Sequence, residues 1–462
     1  VPDSGPHSPR FRYEPLETVV DWARLLDGHR LQDPAYAERP NRPTYVQDSD
    51  RITFSAPFRR LANKTQVHPL YDNDHIHHRL IHSIETSSVG RSLGMEVGDW
   101  LEQQEVVPAG ERHKIAGIIG TACLAHDIGN PPFGHSGEEA IGRWFAEKFA
   151  SDAPLFSELD PDLRLEFEKF EGNAQGFRIL TRLEMYRNEG GMRLSRGVLG
   201  AFSKYPVTAR VQDQVKSDYC GLKKFGVFES EFGQFTEVAN AVGLPSETHE
   251  SQTWWRRHPL VFLVEAADDI CYNILDLEDA YTSGDLSAET VIGHLEPMTG
   301  KSNQDLSHMA DPDRIAYARA RGIGIAISAC VEAFKENYAP ITDGTFSGAL
   351  IDMSVKAEEF KNIKKLAKER LFTSPRKTEL EVQGRNSVHR VLDGVSGIYV
   401  RLQEVGWDGE KLDSYHRQLI KAAGVDIRDV TTPYTALHSL ADYVSGMTDR
   451  FAVKTARMLS GI

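Results

Sequence analysis

Residues 124–139 read LAHDIGNPPFGHSGEE. His126 and Asp127 stand side by side at the end of an apolar run, and Gly129, Pro131 and Pro132 follow at once. Neighbouring side chains lie about 100° apart around a helix, so an imidazole and a carboxylate at consecutive positions reach one ion only where the helix ends. Glycine and proline end it there. The same dipeptide also serves as an ordinary helix terminus in which His and Asp satisfy each other, so the surrounding chain has to decide.

Two further segments add ligand types. RLIHSIE places His82 on a helical stretch with Arg79 three residues earlier, on the same side. HPLVFLVEAADDICYNILDLEDA starts with Pro259 at the expected first helical position and carries Asp268, Tyr272 and Asp276 at i, i+4 and i+8. That stripe runs through Val264, so Asp268 sits among apolar neighbours, where an unpaired carboxylate costs on the order of several kcal/mol unless it meets a cation. Asp269, Glu278 and Asp279 fit a polar, surface flank better. Two His and two Asp from three helices form a mixed nitrogen and oxygen set that suits Mg²⁺, Mn²⁺, iron or Co²⁺ with open water positions better than a closed structural zinc site. Such an ion polarises a phosphoryl oxygen and orients water.

The elements that must hold these groups are helical. Ile115, Ile118, Ile119, Ala122 and Ala125 recur at helical spacing, as do Val261, Val264, Ala267 and Cys271. Residues 310–370 and 385–462 continue in the same pattern. Alternation at period two is scarce, and GVFESEFGQF (residues 226–235) is the candidate for one short hairpin. Residues 1–50 read as irregular with one amphipathic turn at LETVVDWARLL, residues 51–290 as the catalytic core, and residues 291–462 as a helical C-terminal region. The expected fold is mainly α.

Composition narrows the rest. The chain has 462 residues, 40% of them hydrophobic, and a formal charge of −14. So acidic a surface disfavours a general nucleic-acid coat and requires a local cation for any polyanionic substrate. Cys123, Cys220, Cys271 and Cys330 are scattered, as expected of free thiols in a reducing compartment. VPDSGPHSPR lacks the features of a signal peptide, and no apolar run reaches membrane-spanning length. A cytoplasmic location is expected.

The order H…HD…D, together with RLANKTQV, RLIHSIE, CLAHDIGNPPFGHSGE, FEGNAQG, EAADDICYNILDLEDA, ELEVQG and DYVSGMTDRFA, closely resembles the bacterial dGTP triphosphohydrolases (dGTPases) of the HD-domain superfamily. The likeness covers most of residues 50–450 and is patchy in 280–370 and 385–435. It implies an HD-type helical core with additional helices. It also implies metal ligation by His82, His126, Asp127 and Asp268, with Mg²⁺ or Mn²⁺ as cofactor and Co²⁺ a further option, and cleavage of dGTP to deoxyguanosine and intact triphosphate. A homo-oligomer, commonly a hexamer, is implied, with single-stranded DNA as a further modulator.

Residues beside the metal set acquire roles in the same way. Ser136-x-x-Glu139 has the pattern of a capping box, which puts His135 just ahead of a helix N-terminus and Glu138 in its first turn. The resemblance assigns both to the reacting phosphate, His135 as proton donor or positioning group and Glu138 as its partner or as base. Arg79 is placed to grip phosphate. By resemblance Lys204, Tyr205, Lys224 and Asn173 contact substrate, Gln66, Val67, Tyr272 and Asp276 surround the sugar, and Glu381 accepts hydrogen bonds from guanine with Phe372 packed nearby. HPLYDNDHIHHR offers His75, His77 and His78 for a second metal, but an exposed loop is the expectation, because position 130, after the His-Asp pair, is Asn. Two alternatives stand beside the leading reading: a broader dNTP triphosphohydrolase, and a dNTP-sensing nucleic-acid-binding regulator with little turnover.

Overall fold

The computed structural model describes residues 20–66, 77–151, 154–185, 189–250, 252–300, 309–371 and 375–461. The helices that build the site are α1 (Thr44–Thr53), α2 (Arg79–Gln103), α3 (Glu111–Ala125), α4 (His135–Phe149), α5 (Gly172–Arg178) and α6 (Val261–Thr282). Beyond them run α7 (Asp311–Glu336), α8 (Pro375–Glu404), α9 (Pro433–Ser445) and α10 (Asp449–Ser460). The mainly α expectation holds, with one antiparallel two-stranded hairpin among the described residues.

That hairpin is not where alternation pointed. It pairs β1 (Ser246–His249) with β2 (Gln252–Trp255), Ser246 opposite Trp255. GVFESEFGQF instead forms a 3₁₀ turn over Glu229–Glu231 and the start of the helix Phe232–Val242. Its Phe228 and Phe235 are both buried, so the apparent alternation is a helical face cut short by a turn.

The centre of the bundle is the packing of α2 on α3 and α6. Gly90, Gly94 and Gly98 recur at every fourth position of α2, the spacing that puts them on one helical face. A Cβ on Gly94 would lie 2.7 Å from the Cα of Ala116, and one on Gly98 would lie 2.6 Å from the Cα of Arg112. Only glycine lets the two backbones touch. α3 is buried almost all round from Ile115 to Ala125, as a helix with apolar residues on every face must be. α1 and α7 close this core from either side, against α3 and against α2 and α6.

The C-terminal helices cover the catalytic segment rather than standing apart. α8 packs along α4, α9 and α10. Arg178 of α5 binds Asp442 of α9 at 2.9 Å and Glu231 at 2.8 Å. All four cysteines are free and buried. No helix among the described residues is long and apolar enough to cross a membrane.

Two helix starts differ from the sequence reading. α4 begins at His135 with Gly134 as its N-cap and no side-chain cap bond, so Ser136 and Glu139 form no capping box. α6 begins at Val261, two residues beyond Pro259, because His258 turns the chain first by accepting the Leu260 amide on its Nδ1.

Candidate active site

The start of α2, the end of α3 and the first half of α6 meet around a cavity of about 470 Å³. Arg79 is the first residue of α2 and His82 lies one turn on. His126 caps the end of α3, where its Nδ1–H donates to the Cys123 carbonyl at 2.6 Å. That bond leaves Nε2 turned into the cavity, where this buried atom has no close hydrogen-bond partner and the Asp127 and Asp268 carboxylates stand 3.5 Å away. A backbone carbonyl that fixes the tautomer in this way is the usual support of a metal-binding imidazole.

Around that nitrogen the acidic groups converge. Asp268 Oδ1 lies 3.0 Å from His82 Nε2 and 3.5 Å from His126 Nε2. One ligand atom from each of His82, His126 and Asp268 falls within 4.8 Å of the others. Asp127 Oδ1 lies 3.5 Å from His126 Nε2 and accepts from Asn130, while its Oδ2 accepts from Arg79 at 2.6 Å. Burial opposes charge at each of these groups, but the partners win. Asp127 and Asp268 hold the His126 imidazolium up to about 9. Arg79 and the imidazoles hold Asp127 down at about 2, and the imidazoles put Asp268 well below the usual carboxylate range. A pocket so charged calls for a cation, and an orphaned imidazole nitrogen among carboxylate oxygens fits a divalent metal.

A second constellation stands at the mouth. Its turn depends on Gly134, at φ +59°, where a Cβ would also lie 2.7 Å from the Arg79 guanidinium. His135 Nδ1 meets Glu138 Oε2 at 2.7 Å, and the His135 side chain is 87% exposed whereas that of Glu138 is 10% exposed. Glu138 Oε1 also accepts the Gly172 amide at 2.8 Å. Burial raises the Glu138 carboxyl, yet His135, Lys224 and this amide bring it below its ordinary value. Glu138 is therefore a charged brace behind an exposed imidazole.

Of the residues expected to touch substrate, Arg79, Gln66, Asn173, Lys204, Tyr205, Lys224, Tyr272 and Glu381 all line this cavity. Asp276 does not. It lines a smaller adjoining hollow on the far side of Tyr272. Val67 and Phe372 lie outside the described residues.

Three acidic residues escaped the sequence reading. Glu265 lines the cavity and pairs with Lys204 at 3.1 Å and with Arg257 at 3.0 Å. Glu171 pairs with Lys224 at 2.9 Å. Asp269 lines the cavity rather than a surface flank, and burial followed by Asp268 pushes its carboxyl up to about 7. Glu265, Asp268, Asp269 and Tyr272 stand at i, i+3, i+4 and i+7 of α6, a spacing that marks one face. Asp279 is likewise buried, and His77 meets its carboxylate at 2.6 Å. His77 also meets Glu85 at 3.4 Å, and His78 caps α2, so both are engaged away from the metal set. His75 lies outside the described residues.

The helical bundle and its His/Asp centre define the HD class of hydrolases, and residues 79–190 match the HD domain family. Residues 353–458 match the phosphohydrolase-associated domain. The chain is 37% identical over 453 residues to a deoxyguanosinetriphosphate triphosphohydrolase-like protein of Pseudomonas aeruginosa, covering 96% of this chain and 99% of that one. It is 35% identical over 456 residues to one from Synechocystis, covering 96% and 100%. It is 28% identical over 517 residues to the deoxyguanosinetriphosphate triphosphohydrolase of Yersinia pestis, covering 95% and 99%. The chain belongs to the deoxyguanosinetriphosphate triphosphohydrolase-like family.

Proposed function

We propose that the protein hydrolyses dGTP to deoxyguanosine and inorganic triphosphate, with Mg²⁺ or Mn²⁺ as its cofactor and Co²⁺ as a substitute. The observation that carries this is a single cavity holding a buried His/Asp centre, a braced imidazole at its mouth and three cationic side chains, Arg79, Lys204 and Lys224. A divalent ion held by His82, His126, Asp127 and Asp268 would polarise the α-phosphoryl group and lower the pKa of its water.

The chain's own groups do the rest. Arg79, one turn from His82, offers its guanidinium to a phosphate oxygen while holding Asp127. Lys204, Lys224, Tyr205 and Asn173 bind the phosphate tail. His135 presents its outer nitrogen to the scissile 5′ oxygen and gives it a proton, and Glu138 holds the ring at its other nitrogen. Tyr272 and Gln66 wall the sugar, the tyrosine ring excluding a 2′ hydroxyl. Glu381 accepts from the N1–H and amino group of guanine. A base lacking those donors leaves that carboxylate poorly matched, at a cost of about 1–3 kcal/mol. The family resemblance supports a cytoplasmic homo-oligomer, commonly a hexamer, with single-stranded DNA as a modulator.

The test is product analysis. The protein is incubated with each of the four dNTPs and GTP, with Mn²⁺ or with chelator, beside His126→Ala. Deoxyguanosine and triphosphate from dGTP, absent with chelator and in the variant, support the reading. Pyrophosphate or phosphate as product refutes the cleavage position. Equal turnover of all dNTPs points to a broad enzyme, and binding without turnover to a regulator.

A further inference from the structure

Asp449, the first residue of α10, is 1% exposed and does not line the cavity. Its carboxylate nevertheless holds two segments that do. Oδ2 accepts from the Thr65 amide at 3.1 Å and from the Thr65 hydroxyl at 2.5 Å. Oδ1 accepts from the Phe133 amide at 3.0 Å. Lys64 makes a parallel tie, its ammonium donating to the Asn130 carbonyl at 2.5 Å and to the Ser445 carbonyl, at the end of α9, at 2.8 Å.

Both captured segments lead straight into the site. Thr65 bridges His78, and the Arg79 amide donates to the Lys64 carbonyl, so residues 64–65 seat the first turn of α2 with Arg79 and His82. Residues 130–133 lie between the His126–Asp127 pair and His135. Phe133 has φ +65°, an unusual conformation for an aromatic residue, and Gly134 follows at φ +59°. Two consecutive left-handed residues set the direction in which α4 starts, and hence where His135 and Glu138 stand. The bond from the Phe133 amide to Asp449 acts on the first of them.

We propose that Asp449 is a positioning residue for hydrolysis, holding the Phe133–Gly134 turn and the Thr65 segment in register so that His135 meets a phosphate gripped by Arg79. The role rests on the assignment of His135 made above. It also explains why the C-terminal helices are joined to the catalytic segment by buried polar bonds and not by apolar packing alone.

The experiment compares wild type with Asp449→Ala, Asp449→Asn and Thr65→Val by steady-state dGTP hydrolysis, Mn²⁺ titration and hydrogen exchange of peptides. Asp449→Ala should lower kcat by about ten- to hundredfold, the scale of a misplaced catalytic group. KM and Mn²⁺ affinity should stay within about threefold. Exchange should quicken in residues 128–138 and 62–66 and not in α3. Asp449→Asn retains an acceptor for Phe133 and should recover part of the loss. A folded Asp449→Ala with unchanged kcat overturns the proposal, and so does exchange that rises equally throughout the chain. If Asp449→Ala does not fold, Thr65→Val and Asp449→Asn decide on the same criteria. If wild type turns over no nucleotide, the functional reading has failed and the exchange pattern alone judges the placement of the turn.

Discussion

Arg79 and Asp127 form a close ion pair, 2.6 Å apart with side-chain exposures of only 10% and 12%, at the wall of the His/Asp centre. The pair lets a carboxylate stay charged in a buried site before any metal arrives. Arg79→Gln leaves that carboxylate without its cation, which costs about 3–5 kcal/mol in a buried pair. Bound metal supplies the missing charge and stabilises the native state by mass action. Unfolding by urea should therefore show a large stability loss in chelator that shrinks in saturating Mn²⁺. Equal losses under both conditions would mean that Asp127 is not a ligand.

Gly134→Ala tests the turn before His135 from the other side. Alanine there is strained at φ +59° and its Cβ meets the Arg79 guanidinium, for about 1–3 kcal/mol of backbone strain. Because the turn carries His135, kcat should fall by at least about tenfold as well. Stability reduced with kcat intact would show that the strain is absorbed away from the imidazole.

The Lys224–Glu171 pair predicts a pH effect on substrate binding. Burial, then the charge of Glu138, lifts the Glu171 carboxyl to about 7. Above that pH Glu171 is an anion competing with phosphate for Lys224; below it the lysine is released. The KM for dGTP should fall as pH drops through about 7, and Glu171→Gln should show the low KM across the range. Parallel pH profiles for the two proteins would rule out this competition.

His77 gives a stability prediction outside the cavity. Hydrogen bonds donated to the Asp279 and Glu85 carboxylates raise its imidazolium to about 10, from 6.5 when unfolded. A folded-state pKa above the unfolded one stabilises fully below pH 6.5, and the contribution is lost as pH climbs toward about 10, by at most ~1.4 kcal/mol per unit. Chemical denaturation between those limits should give a falling curve for wild type and a flatter one for Asp279→Asn. Identical slopes would place the proton elsewhere.

Much of the centre was legible because its information is local. His126, Asp127 and the Gly/Pro break are contiguous, and Asp268 betrays itself by standing on an apolar stripe. Glu171 and Glu265 were not legible as partners, since nothing in FEGN or LVEAAD says which lysine the fold will bring to them. The hairpin was misplaced for a related reason: Phe228 and Phe235 are buried by tertiary neighbours across a 3₁₀ turn, and a pattern of spacing alone does not reveal the turn. The start of α4 moved by one residue because Gly134 satisfies a backbone geometry, whereas Ser136 merely has the composition of a cap.

Thr65 and Asp449 are 384 positions apart in the chain. On the reading proposed for Asp449, a polypeptide clipped ahead of α10 keeps every metal ligand and still lacks the acid that squares its catalytic turn. Copies truncated ahead of Asp449 would then be idle instead of loose consumers of deoxynucleotides.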